Sequence, residues 1–549
     1  MSETEEKAVK QETGFMGQIR RLSRRFSGTL LNVDSKAGPH FTHSGRKTIY
    51  SYDDEEQLRI GGVAAEELIE KYGKYKLRIG GVAAEELIEK YGTPLYVYDV
   101  NRLTDNYNVY LGSLRNVKNF MLCYAVKANS NLALLDIFSR LGCGFDVVSG
   151  GEISRCLAVG IDPSKIVYSG CGKSIEEIDY AVRSEVFCIN VESWGELERI
   201  EDRARAHNKV QNVSIRVNPD INLDGHSHPH ILTGSSSHKF GVPINEAPEI
   251  YNRAKASAHL KIKGISCHLG SSIQQLEPFI EARDKLLALA DELRNENRIW
   301  VEHINLGGGF AAQIATNLDV PDIPGWVEKL AKPITERGLK MVLEPGRSLM
   351  ADAGVLLTKI EYVKRFGSCG SGQSSPRSGS LVNAEIPVRS KSGTAPKAFV
   401  VVDAGFNDFA RTALYGQQHK IIPSNAKVEQ LPGLPSEYKY DIVGPICEST
   451  DCFFRDLILS QKLEPNSALA ICDVGAYGMT LSSNYNTRNR AAEVLISDGP
   501  THTLIREREK YEDQYAKERT ATDINLRALE MLEEFASRED LAQTENGNQ

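Results

Sequence analysis

The 549-residue sequence lacks any apolar run that approaches the roughly 20 residues needed to span a bilayer. It also lacks a CxxC pair, and its ten cysteines are scattered through apolar runs such as MLCYAV and EVFCIN. This spacing favours free thiols in a reducing compartment over a disulfide framework. Because the formal net charge is −8, non-specific binding to nucleic acid is unfavourable, so we expect neither a nucleic-acid nor a membrane partner.

The start of the sequence does not resemble a targeting signal. MSETEEKAVKQE has neither the apolar core of a secretory signal nor the Arg-rich, acid-poor composition of a transit peptide, so we expect a cytoplasmic protein. Residues 1–40 are expected to form a disordered arm. Its basic patch RRLSRRFSG is most simply a solvated surface, with a kinase site at Ser23 or Ser27 as the alternative. Residues 507–549 are charged and predict a helical or disordered tail.

The length suits two or three domains. Between residues 94 and 354, apolar segments such as PLYVYD, FMLCYAV, VSIRVN and KMVLEPG alternate with amphipathic helical patterns, which predicts a (β/α)8 barrel. Residues 355–506 contain strands with little helix and predict an antiparallel β domain, a barrel or sandwich that also takes in an N-terminal strand. The Ser-, Gly- and Pro-rich stretch 367–396 is expected to be a disordered insertion in this domain.

Sixteen residues occur twice without a change, as 58–73 and 77–92. Repeat architectures need about three or more units, so two copies within the N-terminal segment 41–93 do not indicate one. Each copy predicts a short strand, LRI, and then an amphipathic helix ended by glycine. Either LRI can pair with TIYSYD, whereas the second helix runs directly into TPLYVYD and is expected to dock. We interpret the duplication as a recent in-frame event or a gene-model error. The same two explanations apply to the insertion 367–396, which can also be an unremoved intron.

Lys127 closes the apolar strand of CYAVKANSN, and the C-terminal end of a barrel strand faces the active site. Apolar neighbours are expected to lower the pKa of this lysine, which suits a Schiff base. The more ordinary interpretation of a lysine at this position is a side chain that snorkels towards water.

Other candidate side chains and glycines also follow predicted strands. They are His268, Ser271, Gly307, Gly308, Gly309, Glu344, Arg347, Arg411, Tyr415, Cys447, Glu448 and Tyr477. Each alone has an ordinary explanation: a tight turn for the glycines, a surface ion pair for Glu344 with Arg347, and an inert core thiol for Cys447. Together with Lys127 they supply a reactive amine, a phosphate cradle, a carboxylate, a thiol and two arginines. This set suits a pyridoxal phosphate enzyme that acts on an amino acid.

Ten motifs carry a more specific resemblance. In order they are YAVKAN, GCGFDVVSGGE, VNPD, HPHILTGSSSHKFGV, CHLGSS, NLGGGF, EPGRS, VDAGFNDFARTALYG, VGPICES and GAYGMTLSSNYNTRNRAAEVL. Over about residues 38–506 the chain resembles the diaminopimelate decarboxylases, which belong to the alanine-racemase-like fold type of pyridoxal phosphate enzymes.

The resemblance implies pyridoxal phosphate as the cofactor, held by Lys127 as a Schiff base, and no metal ion. It implies that Glu344 pairs with the pyridine nitrogen, that His268 stacks on the ring and acts in catalysis, and that Asp146 supports the site. The implied phosphate contacts are Ser271, Gly307, Gly308, Gly309, Gly346, Arg347 and Tyr477.

The implied substrate is meso-diaminopimelate, whose distal amino-acid head must also be recognised. The family's carboxylate-binding positions match Arg347, Arg411, Tyr415 and Tyr477, and its ammonium-binding position matches Glu448. Cys447 matches the proton donor that yields L-lysine. In this family PICES reaches the partner's site, so the resemblance implies a homodimer with shared active sites.

Three alternatives remain at this point. Sister enzymes decarboxylate ornithine, arginine or carboxynorspermidine, which have no distal amino-acid head. A catalytically inactive regulatory homologue is expected to lose Lys127 or Cys447, and both are present. A racemase needs a two-base arrangement, against which the diaminopimelate-type recognition set speaks.

Overall fold

The computed structural model describes residues 50–52, 74–115, 117, 119–221, 239–312, 321–365, 397–427, 438–459, 461–497, 501–520 and 534. Four expectations therefore lie outside the described residues. They are the arm 1–40 with Ser23 and Ser27, the first copy 58–73, the insertion 367–396 and the tail beyond 520 apart from 534. Most of the HPHILTGSSSHKFGV motif lies outside them as well.

The strands are β1 (Tyr50–Tyr52), β2 (Lys74–Ile79), β3 (Val82–Ala83), β4 (Leu95–Asp99), β5 (Phe120–Ala125), β6 (Gly144–Val147), β7 (Ile166–Tyr168), β8 (Cys188–Val191), β9 (Gln211–Asn218), β10 (Val242–Pro243), β11 (Leu260–Ser266), β12 (His303–Asn305), β13 (Lys340–Leu343), β14 (Gly354–Arg365), β15 (Lys397–Val402), β16 (Ile421–Pro423), β17 (Asn425–Lys427), β18 (Tyr438–Val443), β19 (Cys452–Leu459), β20 (Ala468–Ile471), β21 (Ala492–Ile496) and β22 (His502–Arg506).

The helices are α1 (Ala84–Tyr91), α2 (Val100–Leu114), α3 (Leu132–Arg140), α4 (Gly150–Ala158), α5 (Ile175–Ser184), α6 (Trp194–Ala206), α7 (Ala247–Lys255), α8 (Glu277–Asn295), α9 (Ile323–Glu336), α10 (Arg347–Met350), α11 (Arg411–Tyr415) and α12 (Tyr511–Tyr515). Among the described residues, no helix is long and apolar enough to cross a membrane.

The predicted (β/α)8 barrel is confirmed. Parallel strands follow the order β9-β11-β12-β13-β5-β6-β7-β8, and pairing of β8 with β9 closes the ring. The barrel strands are largely buried on both faces because helices cover the outside of the barrel while side chains fill its interior. Polar caps start the helices at the site end: Asn131 caps α3, and Ser149, Ser174 and Ser193 cap α4 to α6.

The second domain is a mixed sheet, with the path β19-β18-β15-β14-β4-β21-β22 and with β20 bridging β14 and β16. Most pairs are antiparallel as expected, but β15 with β18 and β21 with β4 run parallel. The N-terminal strand that joins this sheet is Leu95–Asp99, within a segment expected to belong to the barrel, so the barrel strands begin at Phe120. All five residues of β4 are buried, and a strand with no exposed face suits either sheet.

The second copy of the duplicated segment docks, as expected. Its LRI, residues 77–79, pairs with Tyr50–Tyr52 and closes the hairpin. Leu87 of α1 is fully buried and packs in a cluster that contains Val97 and Val355. The second copy therefore covers part of the mixed sheet.

Candidate active site

A cavity of about 370 Å³ opens at the C-terminal ends of the barrel strands. Four residues expected from the sequence line it: Lys127 after β5, Asp146 on β6, His268 after β11 and Glu344 after β13. Strands far apart in sequence thus deliver them to one place, since the carboxyl ends of parallel barrel strands share one face.

Lys127 and Asp146 form an ion pair, with the lysine Nζ donating to Asp146 Oδ2. Asp146 is fully buried, and its Oδ1 has no hydrogen-bond partner within the described part of the chain. Loss of hydration is the largest single influence on Lys127 and lowers its pKa, but the charges of Asp146, Tyr477 and Glu344 and the hydrogen bond to Asp146 together outweigh it, and the net pKa is raised. The expectation of a lowered pKa was therefore wrong: apolar neighbours in sequence did not reveal the buried anion.

Glu344 lines the same cavity and is 6% exposed. Burial, and then the charge of Asp146, raise its pKa to about 8. Asn305 donates from Nδ2 to Glu344 Oε1 at 2.5 Å. A buried carboxyl of this kind suits a cationic ring nitrogen, because a positive partner restores the charge that burial disfavours.

His268 is held as a neutral imidazole. The N–H of Gly308 donates to its Nδ1 at 3.1 Å, so that nitrogen carries a lone pair. Burial, and then the charges of Arg216 and Lys127, lower the pKa of His268 well below its usual value. A neutral flat ring at the cavity wall is suited to stacking on an aromatic ligand.

The glycine turn after β12 is required by close backbone packing. A Cβ at Gly307 would lie 2.6 Å from the carbonyl oxygen of Cys267, and one at Gly308 would lie 2.1 Å from that of Glu344. The amides of Gly307 and Gly308 donate to Asn305 and to His268. The amides of Gly307 and Gly308 are thus hydrogen-bonded to side chains at the ends of β12 and β11. Phosphate binding by this turn stays a prediction.

Two buried arginines pack against one tyrosine ring. The guanidinium carbons of Arg347 and Arg411 are 4.8 and 5.3 Å from the centroid of Tyr477, and Arg411 is also 4.7 Å from that of Tyr415. Burial, and then the charge of Arg347, lower the pKa of Arg411 to about 9. No described acidic side chain forms an ion pair with either arginine, so the cluster is suited to an anion.

The arginine cluster lies beside the cavity. The N–H of Tyr477 donates to the carbonyl oxygen of Ala128, next to Lys127, at 2.7 Å. Arg347 donates from Nε and Nη2 to Ser271 Oγ at 3.3 Å. A Cβ at Gly346 would lie 3.4 Å from the Tyr477 hydroxyl. The structure therefore brings Ser271, Gly346, Arg347 and Tyr477 together with the lysine turn.

Cys447 and Glu448 are not among the residues that line the cavity. Both are exposed on the loop between β18 and β19. The Tyr485 hydroxyl donates to Glu448 Oε1 at 2.5 Å, and the Cys447 N–H donates to Asn486 Oδ1 at 3.0 Å. Apart from the arginine cluster beside the cavity, the residues expected from the sequence thus form two groups: a barrel group that is buried or half-buried, and an exposed loop group of Cys447 and Glu448.

The sequence interpretation missed several polar residues of the site. Asn305 contacts Glu344, Gln417 accepts from Arg411 Nε at 2.8 Å, and Arg216 forms a buried ion pair with Glu192 at 2.8 Å. Arg216 had a visible signal, because VSIRVN places a charge inside an otherwise apolar strand. Asn305 also had a visible signal, because it is a polar residue that ends the buried strand before the glycine turn.

A family profile for the pyridoxal-dependent decarboxylase, pyridoxal binding domain, matches residues 101–351. The chain is 42% identical over 426 residues to the diaminopimelate decarboxylase of Neisseria meningitidis serogroup A, covering 78% of this chain and 95% of the relative. The chain belongs to the diaminopimelate decarboxylase family.

Two further comparisons agree. The chain is 40% identical over 470 residues to the diaminopimelate decarboxylase of Pseudomonas aeruginosa, covering 85% of this chain and 98% of the relative. The crystal structure of diaminopimelate decarboxylase from Helicobacter pylori complexed with L-lysine matches with a TM-score of 0.68 and 35% identity, covering 79% and 98% of the two chains. The protein is a pyridoxal phosphate-dependent amino-acid decarboxylase, and residues 101–351 include Lys127, Asp146, His268 and Glu344.

Proposed function

We propose that the chain converts meso-2,6-diaminopimelate to L-lysine and CO2, the last step of lysine biosynthesis. The observation that carries the proposal is the pair of buried arginines around Tyr477, beside the Lys127 cavity and without an acidic partner among the described residues. A substrate with a second carboxylate at its far end supplies the missing anion, whereas ornithine and arginine do not. The Helicobacter pylori relative, seen with L-lysine, supports lysine as the product.

The described residues fit pyridoxal phosphate. Asp146 Oδ1 is buried without a partner among them, and the carboxyl of Glu344 is buried where a cation would stabilise it. When bound, the cofactor withdraws electrons from the α-carbon and so stabilises the negative charge left by loss of CO2. Lys127 would hold it covalently, Glu344 would meet the pyridine nitrogen and His268 would face the ring. The residues proposed around the phosphate are Ser271, Gly307, Gly308, Gly309, Gly346, Arg347 and Tyr477.

The distal head of the substrate would lie against the arginine cluster. Arg347, Arg411, Tyr415 and Tyr477 would bind its carboxylate, because a guanidinium can pair with a carboxylate through two parallel hydrogen bonds. Gln417 accepts from Arg411 Nε and so leaves the terminal nitrogens of that arginine for the substrate. Glu448 would bind the distal ammonium group.

Cys447 would return the proton to the α-carbon from its thiol. A thiol is a proton donor, and a general acid acts by giving its proton to a reacting atom that it can reach. Since Cys447 and Glu448 do not line the cavity of their own chain, we propose a homodimer in which this loop completes the partner's site.

A cytoplasmic location is part of the proposal. All nine cysteines that the structure describes are free thiols, and seven of them are not exposed. Free thiols persist in a reducing compartment.

The test is CO2 release from meso-diaminopimelate, with L-ornithine and L-arginine in parallel and pyridoxal phosphate added, by the wild type and by Lys127→Ala. We expect turnover of diaminopimelate alone and its loss in the variant. Turnover of ornithine or arginine in its place would move the chain to a sister specificity. Absence of turnover with the cofactor bound would favour an inactive regulatory homologue.

A further inference from the structure

Asn305 is fully buried at the end of β12 and uses both ends of its side-chain amide. Its Nδ2 donates to Glu344 Oε1 at 2.5 Å, and its Oδ1 accepts the N–H of Gly307 at 2.8 Å. The N–H of Glu344 in turn donates to the carbonyl oxygen of Gly307 at 2.8 Å. Because only the amide oxygen can accept from Gly307, the nitrogen must face the carboxyl, and the orientation of the amide is fixed.

This ring of hydrogen bonds connects three groups proposed to contact the cofactor: the Glu344 carboxyl, the glycine turn and the His268 imidazole. The peptide that follows Gly307 presents the Gly308 N–H to His268 Nδ1 at 3.1 Å. A shift of Asn305 would therefore move the carboxyl of Glu344 and the glycine turn together, and the turn in turn orients the imidazole. Asn305 does not itself line the cavity, so it acts through these neighbours.

The amide also acts on the charge of the carboxyl. Burial and Asp146 raise the pKa of Glu344, whereas donation from Asn305 lowers it, because a donated hydrogen bond stabilises the carboxylate. An aspartate at this position would still accept from Gly307. It would no longer donate to Glu344, and it would add a negative charge beside it.

We propose that Asn305 is a positioning residue for the cofactor: it holds the Glu344 carboxylate towards the pyridine nitrogen and ties it to the glycine turn. The proposal rests on the proposed role of Glu344. A purely structural role would leave cofactor binding unchanged. The proposal instead requires cofactor binding to weaken when the hydrogen-bond donor at Asn305 Nδ2 is removed.

Asn131 provides a matched control within the same barrel. Its Nδ2 donates to the buried Glu493 at 2.9 Å, and its Oδ1 accepts the N–H two residues later, from Ala133, at 3.0 Å. Asn131 does not line the cavity. Asn305→Asp and Asn131→Asp therefore make the same chemical change, one beside the cofactor carboxyl and one away from it.

The experiment measures the Kd of pyridoxal phosphate for the full-length chain and for each variant. It also follows the absorbance of the bound cofactor as the pH is changed. For Asn305→Asp we expect a Kd roughly tenfold higher or more, and a displaced absorbance titration. Asn131→Asp should lower the melting temperature and leave both cofactor measurements within about twofold of the wild type. Equal effects of the two variants on the cofactor would overturn the proposal, as would a wild-type Kd and titration in Asn305→Asp.

Glu344→Gln separates this inference from the function on which it rests. If Glu344→Gln weakens cofactor binding and Asn305→Asp does not, the inference fails and the role of Glu344 stands. If neither variant changes cofactor binding, the role of Glu344 fails as well. Should Asn305→Asp not fold, Asn305→Ser removes the same donor without adding a charge, and a wild-type Kd and titration in that variant would equally overturn the proposal.

Discussion

The two groups of residues at this site differ in how completely one chain builds them. The barrel group is internally paired, with half-buried Lys127 against fully buried Asp146, and buried Asn305 against buried Glu344. The loop group, Cys447 and Glu448, is exposed and outside the cavity. Groups whose protonation must be controlled lie where burial shifts their pKa, whereas the proposed proton donor lies where a second chain can reach it.

The largest effect should come from the loop group. Cys447→Ala should lower kcat for diaminopimelate by about 10³-fold, because it removes the proposed proton donor. The matched control is Cys452→Ala, whose thiol lies five residues later and is directed to the carbonyl oxygen of Phe454. Steady-state CO2 release measures both. Equal activity of the two variants would remove Cys447 from the mechanism.

Within the barrel group, the burial of the Glu344 carboxyl should make the free energy of unfolding depend on pH. In the cofactor-free protein the pKa of Glu344 is raised to about 8. Between its unfolded value and about 8 the folded state binds more protons, so stability falls as pH rises, by up to ~1.4 kcal/mol per pH unit. Glu344→Gln should lack this fall. Denaturant unfolding at pH 5 to 8 tests it, and parallel curves for both proteins would contradict the buried-carboxyl account.

The loop group should be sensitive to the residues that hold it. Tyr485→Phe removes the hydroxyl that donates to Glu448 and keeps the ring that stacks on Phe406. We expect kcat/KM for diaminopimelate to fall roughly fivefold, mainly through KM, because the proposed ammonium site loses its fixed orientation. An unchanged KM, with the melting temperature also unchanged, would show that Glu448 needs no such support.

The smallest effect should come from the duplicated segment. Residues 74–76 of β2 pair with β17, so a deletion should keep them and remove residues 55–73. We expect the free energy of unfolding to stay within about 0.5 kcal/mol of the wild type and activity to be retained. Leu87→Asp, made within the same deletion variant, is the control and should abolish soluble protein, because this side chain of the docked copy is fully buried. Loss of soluble protein on the deletion alone would mean that both copies are needed.

Much of the fold was predictable because parallel barrel strands are continuous apolar runs with polar residues at their ends, as at Lys127 and His268. The position of β4 was not, since its five buried residues fit a barrel strand equally well. The pKa of Lys127 was not predictable either, because Asp146 lies 19 residues away in sequence and reaches it only through the pairing of β5 with β6. Composition and spacing do not indicate the division into two groups; only the family resemblance, in which PICES reaches the partner's site, implied it.

The most direct test of the shared site is subunit complementation between Lys127→Ala and Cys447→Ala. In mixed dimers one site receives an intact lysine from one chain and an intact cysteine from the other. Each parent alone should be inactive or nearly so, and random mixing after reversible dissociation should restore about one quarter of the wild-type activity. A mixture whose activity stays at the average of its parents, although mixed dimers have formed, would contradict the account: each chain would then contain its whole site.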